Sequence, residues 1–185
     1  MKEYIITDGY SKAKKKRAHL YFCLDELLYD IRNMAYIEGQ SRDISGSNGT
    51  DTHQIKDIAE DGNIDRVKRV LDLGVSECEE VLYPYTKNML SEFGVEYRDN
   101  LPLDDDTEGW VIRMVVPITM SSTTLCYLEK LIHEYLVALV LYDWLSLTGR
   151  DSIAIWGDKR EELMKQIRHI QDNRVNRIRL KPSPF

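Results

Sequence analysis

The chain has 185 residues, of which 43% are apolar and 30% charged, and its formal net charge is −6. This length and apolar content suit one compact domain that buries roughly 70% of its unfolded surface, and they argue against a second full domain. No apolar run of signal-peptide length opens the chain, and its most hydrophobic stretch, 135–142, is far shorter than the ~20 residues that span a bilayer. We therefore expect a soluble protein, made inside the cell, that does not contact a membrane.

Charge is distributed unevenly along the chain. Residues 1–20 carry a net charge of +4 and residues 159–185 a net charge of +5, which leaves −15 for the region between them. Basic ends on an acidic body are typical of arms that bind nucleic acid or a membrane surface, and equally of arms that dock on acidic neighbouring subunits. For the basic run 12–17, a solvated helix start is the simpler interpretation.

Helical spacing dominates the first half of the sequence. Between residues 11 and 37, apolar residues recur at three- and four-residue steps, which predicts a one-sided helix that ends near Gly39. A loop rich in Gly and Ser follows. A second helix should begin near Asn63 and kink or end at Pro84, because proline removes a backbone donor. Its buried face should carry Ile64, Val67, Leu71, Val75, Cys78, Leu82 and Tyr85.

The spacing then changes from helical to alternating. Apolar residues alternate over 93–97 and again over 110–116, with an acidic, turn-rich segment between them. This predicts an antiparallel β-hairpin within about 90–117, with strands near 92–98 and 110–116. Because an isolated hairpin is marginally stable, it must also pack on helices or extend a neighbour's sheet. We predict that its second strand contacts an adjacent subunit through Trp110, Ile112 and Met114.

Two further helices complete the predicted fold. Hydroxyl residues at 121–123 can cap a helix that runs to about Thr148, and its second half is apolar on nearly every side, as expected of the central helix of a bundle. The last helix should begin near Asp151 and end by about Asn173, with Trp156, Leu163, Ile167 and Ile170 buried. We therefore predict a mainly α fold: a helical bundle of about four helices with one inserted antiparallel β-hairpin and an extended C-terminal tail. Residues 1–174 would form the domain and 175–185 a basic arm.

Motifs that would indicate an enzyme or a metal site are incomplete. His133 and Glu134 match the start of HExxH, but Val137 occupies the second ligand position, which favours a His–Glu pair on a helix surface. The glycine-rich loop lacks the GK[ST] of a phosphate-binding loop. The acidic segment 104–108 lacks the spacing of a calcium loop. The cysteines Cys23, Cys78 and Cys126 are odd in number and widely spaced, which favours reduced core thiols. We expect no catalytic residues, cofactor or metal.

The order of these elements resembles a known class of protein. The residues that carry the resemblance are the central helix end "HEYLVALVLYDWLSLTG" (133–149), the charged helix "DKREELMKQIRHIQ" (158–171) and the basic end "NRIRLKPSPF" (176–185). They look like a small protein found with the capsid and tail genes of tailed phages and prophages of Bacteroides-type bacteria. The nearest functional analogy is the head–tail adaptor, or connector, family. The resemblance is firmest over 110–185, weaker over 20–85, and rests on pattern rather than on a short diagnostic motif.

The resemblance implies a structural virion protein made in the bacterial host. Adaptors of this kind form a homo-oligomeric ring of about twelve helical subunits beneath the portal protein, next to other neck or tail proteins, and DNA passes through the channel without specific binding. Extended C-terminal segments grip the portal. In this chain the docking groups would be Arg174, Arg177, Arg179, Leu180, Lys181, Pro182, Pro184 and Phe185, since cations pair with carboxylates and prolines hold the backbone extended.

Two alternatives to the adaptor interpretation stay open. The chain is also consistent with another neck or tail-completion virion protein. A nucleic-acid-binding accessory protein would use the basic run 12–17 together with the C-terminal cations, although no aromatic residues are interleaved with them.

Overall fold

Four long helices and one pair of strands make up the described part of the chain. The computed structural model describes residues 15–43, 58, 62–86, 109–147 and 152–173. Its elements are β1 (Lys15–Cys23), α1 (Leu24–Asp43), α2 (Ile64–Val81), β2 (Gly109–Pro117), α3 (Ser122–Leu147) and α4 (Ile153–Asn173). The predicted class, a mainly helical bundle with one antiparallel strand pair, is confirmed. The predicted C-terminal tail lies outside the described residues.

The first strand replaces half of a predicted helix. Residues 15–23 form β1, which pairs antiparallel with β2 so that Cys23 lies opposite Gly109 and Lys15 opposite Pro117. The prediction of a single helix over 11–37 is therefore wrong in its first half. The predicted second strand at 110–116 is confirmed, but its observed partner is β1. The predicted first hairpin strand at 92–98 lies outside the described residues.

The two faces of the strand pair are both covered. On the inner face, Ala18, Leu20 and Phe22 of β1 lie opposite Met114, Ile112 and Trp110 of β2, and all six are buried in the main core. On the outer face, Val111 and Val115 are also buried. This explains why β2 is apolar at nearly every position, whereas β1 alternates between buried and half-exposed residues.

These positions correct the predicted subunit contact. Ile112 and Met114 are fully buried within the chain, and Trp110 is 8% exposed. The indole Nε1 of Trp110 donates a hydrogen bond of 2.5 Å to Oδ1 of Asp72 on α2. The three side chains therefore pack β2 against its own helices, and they are not available to an adjacent subunit.

Helix α3 lies at the centre of the bundle, as predicted. Thirteen of its 26 residues are buried, including every position from Tyr135 to Leu141. Helices α1, α2 and α4 and strand β1 all pack on it. Burying each large apolar side chain contributes about 1.5–3 kcal/mol, so α3 supplies a major share of the apolar stabilisation. No helix in the described ranges is long and apolar enough to cross a membrane.

Local signals at the helix ends agree with the sequence. The hydroxyl of Ser121 accepts a hydrogen bond of 3.2 Å from the backbone N–H of Thr124, which makes Ser121 the N-cap of α3. Helix α2 ends at Val81, and after the break at Leu82 a single helical turn over 83–86 contains Pro84. The predicted buried face of α2 is confirmed: Val67, Leu71, Val75, Cys78, Leu82 and Tyr85 are buried, and Ile64 is partly buried.

The cysteines are free thiols in three different settings. Cys78 is buried on α2, and burial raises the pKa of its thiol. Cys23 is partly exposed at the end of β1, and Cys126 is partly exposed on α3. Only Cys78 thus occupies the helical core position that the sequence pattern predicts for all three.

Gly109 provides a test of the strand pair. A Cβ atom at this position would lie 2.5 Å from the backbone oxygen of Phe22, and paired backbone has little freedom to move away. We expect Gly109→Ala to lower the free energy of unfolding by about 1–3 kcal/mol, measured by urea denaturation. Gly62→Ala is the matched control, since nothing lies within 4 Å of the added atom. Equal stability of the two variants would contradict the register.

Candidate functional site

The structure places the predicted site residues in two groups. The docking residues of the arm, 174–185, lie outside the described residues. The predicted interface residues Trp110, Ile112 and Met114 are in the core. None of the predicted site residues that the structure describes is therefore accessible to a partner.

His133 and Glu134 connect α3 to two different helices. Nε2 of His133 lies 2.8 Å from Oδ2 of Asp30 on α1, and Oε2 of Glu134 lies 3.0 Å from Nζ of Lys159 on α4. Both residues lie on the surface of α3, as predicted, with His133 partly and Glu134 well exposed, and each bonds to a different neighbouring helix. Their role in the described structure is to hold helices together.

A groove between α2 and α4 is the candidate site. It has a volume of about 670 Å³. We call it the α2–α4 groove, and its lining residues are Leu73, Ser76, Glu77, Glu80 and Val81 of α2, Tyr135 of α3, and Arg160, Glu161, Met164, Lys165 and Arg168 of α4. The two walls thus come from α2 and α4, and α3 forms the floor.

The groove exists because α2 and α4 pack on different sides of α3. Gly74 brings α2 so close that a Cβ atom there would lie 2.7 Å from the methyl groups of Leu136 and Leu139. On the α4 side, the guanidinium of Arg160 lies 4.9 Å from the ring centre of Tyr142. Both helices pack on α3 far more extensively than on each other.

Tyr135 forms the polar floor of the groove. Its ring is almost fully buried, and its hydroxyl donates a short hydrogen bond to Oε2 of Glu77. Burial raises the pKa of the Tyr135 hydroxyl, and the bond to Glu77 and the charge of that carboxylate raise it further. Tyr135 therefore stays neutral and keeps donating throughout the physiological pH range. The bond also ties α2 to α3 at the base of the groove.

Exposed charges line both walls of the groove, acidic on α2 and mainly basic on α4. Glu80 on α2 and Glu161, Lys165 and Arg168 on α4 are exposed and have no hydrogen-bond or ion-pair partner in the described part of the chain. An occupant can therefore pair with the cations of α4 or with the two carboxylates. This arrangement suits a charged segment of protein.

Apolar side chains supply the rest of the surface. Leu73 is 58% exposed, while Val81 and Met164 are partly buried at the edge of the core. The sequence pattern does not single out this surface. Leu73 lies outside the buried stripe of α2, whereas Val81 follows Gly74 by seven residues and continues that stripe, so the two do not form a second apolar row.

Neither a metal site in the described ranges nor a match to a known protein indicates what the groove binds. Within the described ranges, no three His, Cys, Asp or Glu side chains converge so that they could hold a metal ion. Comparison with protein families, curated proteins and solved structures finds no significant match. The assignment therefore depends on the geometry and chemistry of the groove.

The bond between Tyr135 and Glu77 predicts a pH dependence. Because the pKa of Tyr135 is raised from its ordinary value of 10.0, the stabilisation is complete below pH 10 and is lost as pH rises above it. At pH 8 we expect Tyr135→Phe to lower the free energy of unfolding by about 1–2 kcal/mol. Above pH 10 the wild-type protein should lose about 1.4 kcal/mol per pH unit more than this variant.

Urea denaturation between pH 8 and pH 11 measures both effects. Tyr29→Phe is the control, because Tyr29 is 66% exposed and has no hydrogen-bond partner among the described residues. This control should follow the wild-type protein at every pH. Parallel curves for the wild-type protein and Tyr135→Phe would show that the hydrogen bond does not stabilise the fold.

Proposed function

We propose that this chain is a structural subunit of the neck of a tailed bacteriophage particle, of the head–tail adaptor type. It assembles with copies of itself and docks on a portal protein through its C-terminal arm. The observation that carries the proposal is a difference between two sets of surface charges. One set bonds α3 to its neighbouring helices, whereas Glu80, Glu161, Lys165 and Arg168 in the α2–α4 groove have no partner in the described part of the chain, which suits contact with another protein.

These bonds connect α3 to each neighbouring helix. Arg66 of α2 makes a two-pronged contact with Asp143 of α3, with N–O distances of 3.0 and 3.2 Å. Asp30 of α1 and Lys159 of α4 bond to α3 as described above. Exposed pairs of this kind contribute little stability, so the apolar packing on α3 holds the helices in place and lets a subunit present its surfaces at a constant angle to a neighbour.

The arm would follow directly after α4. Ile167 is fully buried and Ile170 partly buried, and α4 ends at Asn173, while residues 174–185 lie outside the described residues. The arms, 175–185, of several copies would bind their partner together, because each contact made raises the effective concentration for the next.

Nucleic-acid binding is a second candidate function, and the cations on the outer face of the strand pair support it. Arg17 and His19 of β1 share the outer face with Arg113 of β2, and burial together with Arg113 and Arg17 lowers the pKa of His19. Burial is the main cause of the lowered pKa and the two arginines add to it, and cations on one face attract phosphate. Against this candidate, Val111 and Val115 of the same face are buried and leave little apolar surface for stacking bases.

Removal of the arm tests the adaptor proposal. Deletion of residues 177–185 should leave the thermal melting temperature unchanged, since the apolar spacing predicts that the buried stripe of the last helix ends at Ile170, but it should prevent incorporation into particles. Electron microscopy of particles that carry the full-length chain should show it as a ring at the neck. A truncated chain that still enters particles at the wild-type level would refute docking through the arm.

Two matched full-length variants test whether incorporation into particles needs the charge of the arm or only its length. Arg177, Arg179 and Lys181 changed to Gln should reduce incorporation at least about tenfold if charge pairing holds the arm. Lys12, Lys14 and Lys15 changed to Gln remove the same charge from the other basic end and should leave incorporation unchanged. If instead the second set abolishes salt-dependent binding of duplex DNA by the purified chain, the nucleic-acid candidate is favoured.

A further inference from the structure

The outer face of α1 carries exposed apolar residues. Tyr29 is 66% exposed, Tyr36 51% and Ile37 58%, and they lie on the side of the helix that faces away from Leu27, Ile31 and Ala35 in the core. We call Glu26, Tyr29, Asn33, Tyr36 and Ile37 the α1 stripe. A run of this kind on an outer helix face is typical of a protein contact surface.

The α1 stripe and the α2–α4 groove lie on opposite sides of the bundle. His133, which bonds to Asp30 of α1, and Tyr135, which forms the floor of the groove, are two residues apart on α3. Since each residue turns an α-helix by about 100°, these side chains point about 200° apart. The α1 helix is thus on the far side of α3 from the groove, with its stripe facing outward.

We propose that the α1 stripe of one copy of this chain occupies the α2–α4 groove of the next copy. The lengths agree: Tyr29 to Tyr36 spans about 10 Å along α1, and Leu73 to Val81 spans about 12 Å along the groove wall. Tyr29 and Ile37 pack on Leu73 and Met164. The contact removes apolar surface of both copies from water.

Charge complementarity supports a second copy as the occupant. Asp25 and Glu26 at the start of α1 are exposed and have no partner in the described part of the chain, and the same holds for Lys165 and Arg168 in the groove. With α1 laid in the groove, the carboxylates pair with these cations. Each exposed pair contributes at most about 1 kcal/mol, so the charges set the orientation while the apolar contacts supply most of the affinity.

A contact between two different surfaces on opposite sides of a subunit repeats from copy to copy. Such a heterologous contact closes into a ring or extends as a filament, depending on the rotation between copies. The inference deepens the proposed function and rests on it for the ring, but it concerns self-association, which can be measured on the purified chain without particles.

Two variants test the contact. The stripe variant carries Tyr29→Ala and Ile37→Ala, and the groove variant carries Leu73→Glu and Lys165→Glu. The wild-type chain should form species larger than dimers in sedimentation velocity, and each variant should weaken self-association at least about tenfold. The control carries Leu147→Ala and Ile155→Ala, which removes two equally exposed apolar side chains outside both surfaces and should associate normally. Circular dichroism checks that all three variants fold.

Mixing the two variants gives the sharpest result. The stripe variant keeps an intact groove and the groove variant keeps an intact stripe, so an equimolar mixture should form a one-to-one heterodimer that grows no further. A symmetric contact between two α1 helices would instead leave the groove variant fully associated, and the proposal would be wrong. It would also be wrong if the wild-type chain stayed monomeric, or if the mixture did.

Two outcomes distinguish a failure of the α1 contact from a failure of the proposed adaptor function. If deletion of 177–185 abolishes association while the stripe variant associates normally, the arm is the occupant of the groove and the α1 contact is refuted. If the stripe, groove and mixing results hold but the chain is absent from the neck of particles, the contact stands and the adaptor function fails.

Discussion

The requirement to cover α3 on all sides determines the rest of the structure. From Tyr135 to Leu141 every side chain of this helix is buried, and no single neighbour can cover a full turn of an α-helix. Helices α1, α2 and α4 and strand β1 therefore surround it, each with its own apolar stripe. Three helices around one cylinder do not close completely, and the remaining gap between α2 and α4 is the groove. The candidate site is thus a consequence of the same packing that stabilises the fold.

Elements with strong local signals were predicted well. The hydroxyl cap at Ser121, the apolar spacing of α2 and the alternation over Trp110–Val116 are each contained in a short stretch of sequence, and the structure confirms them. Strand β1 was missed because Leu20, Leu24 and Leu27 continue a helical spacing into α1, while Ala18, Leu20 and Phe22 alternate over too few residues to compete with it. Residues 15–23 form a strand rather than a helix because they pair with β2, which is distant in sequence. A local pattern contains no information about such a partner.

The groove was not predictable for a different reason. Its residues come from three helices, and Leu73, Met164 and Tyr135 share no motif in the sequence. The sequence does show that the second half of α2 is acidic, but whether Glu77 bonds to a tyrosine or faces solvent depends on how α2 crosses α3. Gly74 sets that crossing, and its significance follows only from the positions of Leu136 and Leu139. The residues of the groove are therefore present in the sequence, but their arrangement depends on how the three helices pack.

The proposed assembly uses three separate contact surfaces: the α1 stripe, the α2–α4 groove and the C-terminal arm. The α1 stripe and the groove lie on opposite sides of α3, so a subunit can bind two neighbours at the same time, and the proposed arm follows the end of α4 in sequence. Exposed ion pairs on such surfaces are individually weak and are screened by salt. Weak contacts have an advantage here, because a misplaced subunit can dissociate before the ring is complete. Once copies are joined, the arms act together, and the assembly becomes stable through their number rather than through the strength of any one contact.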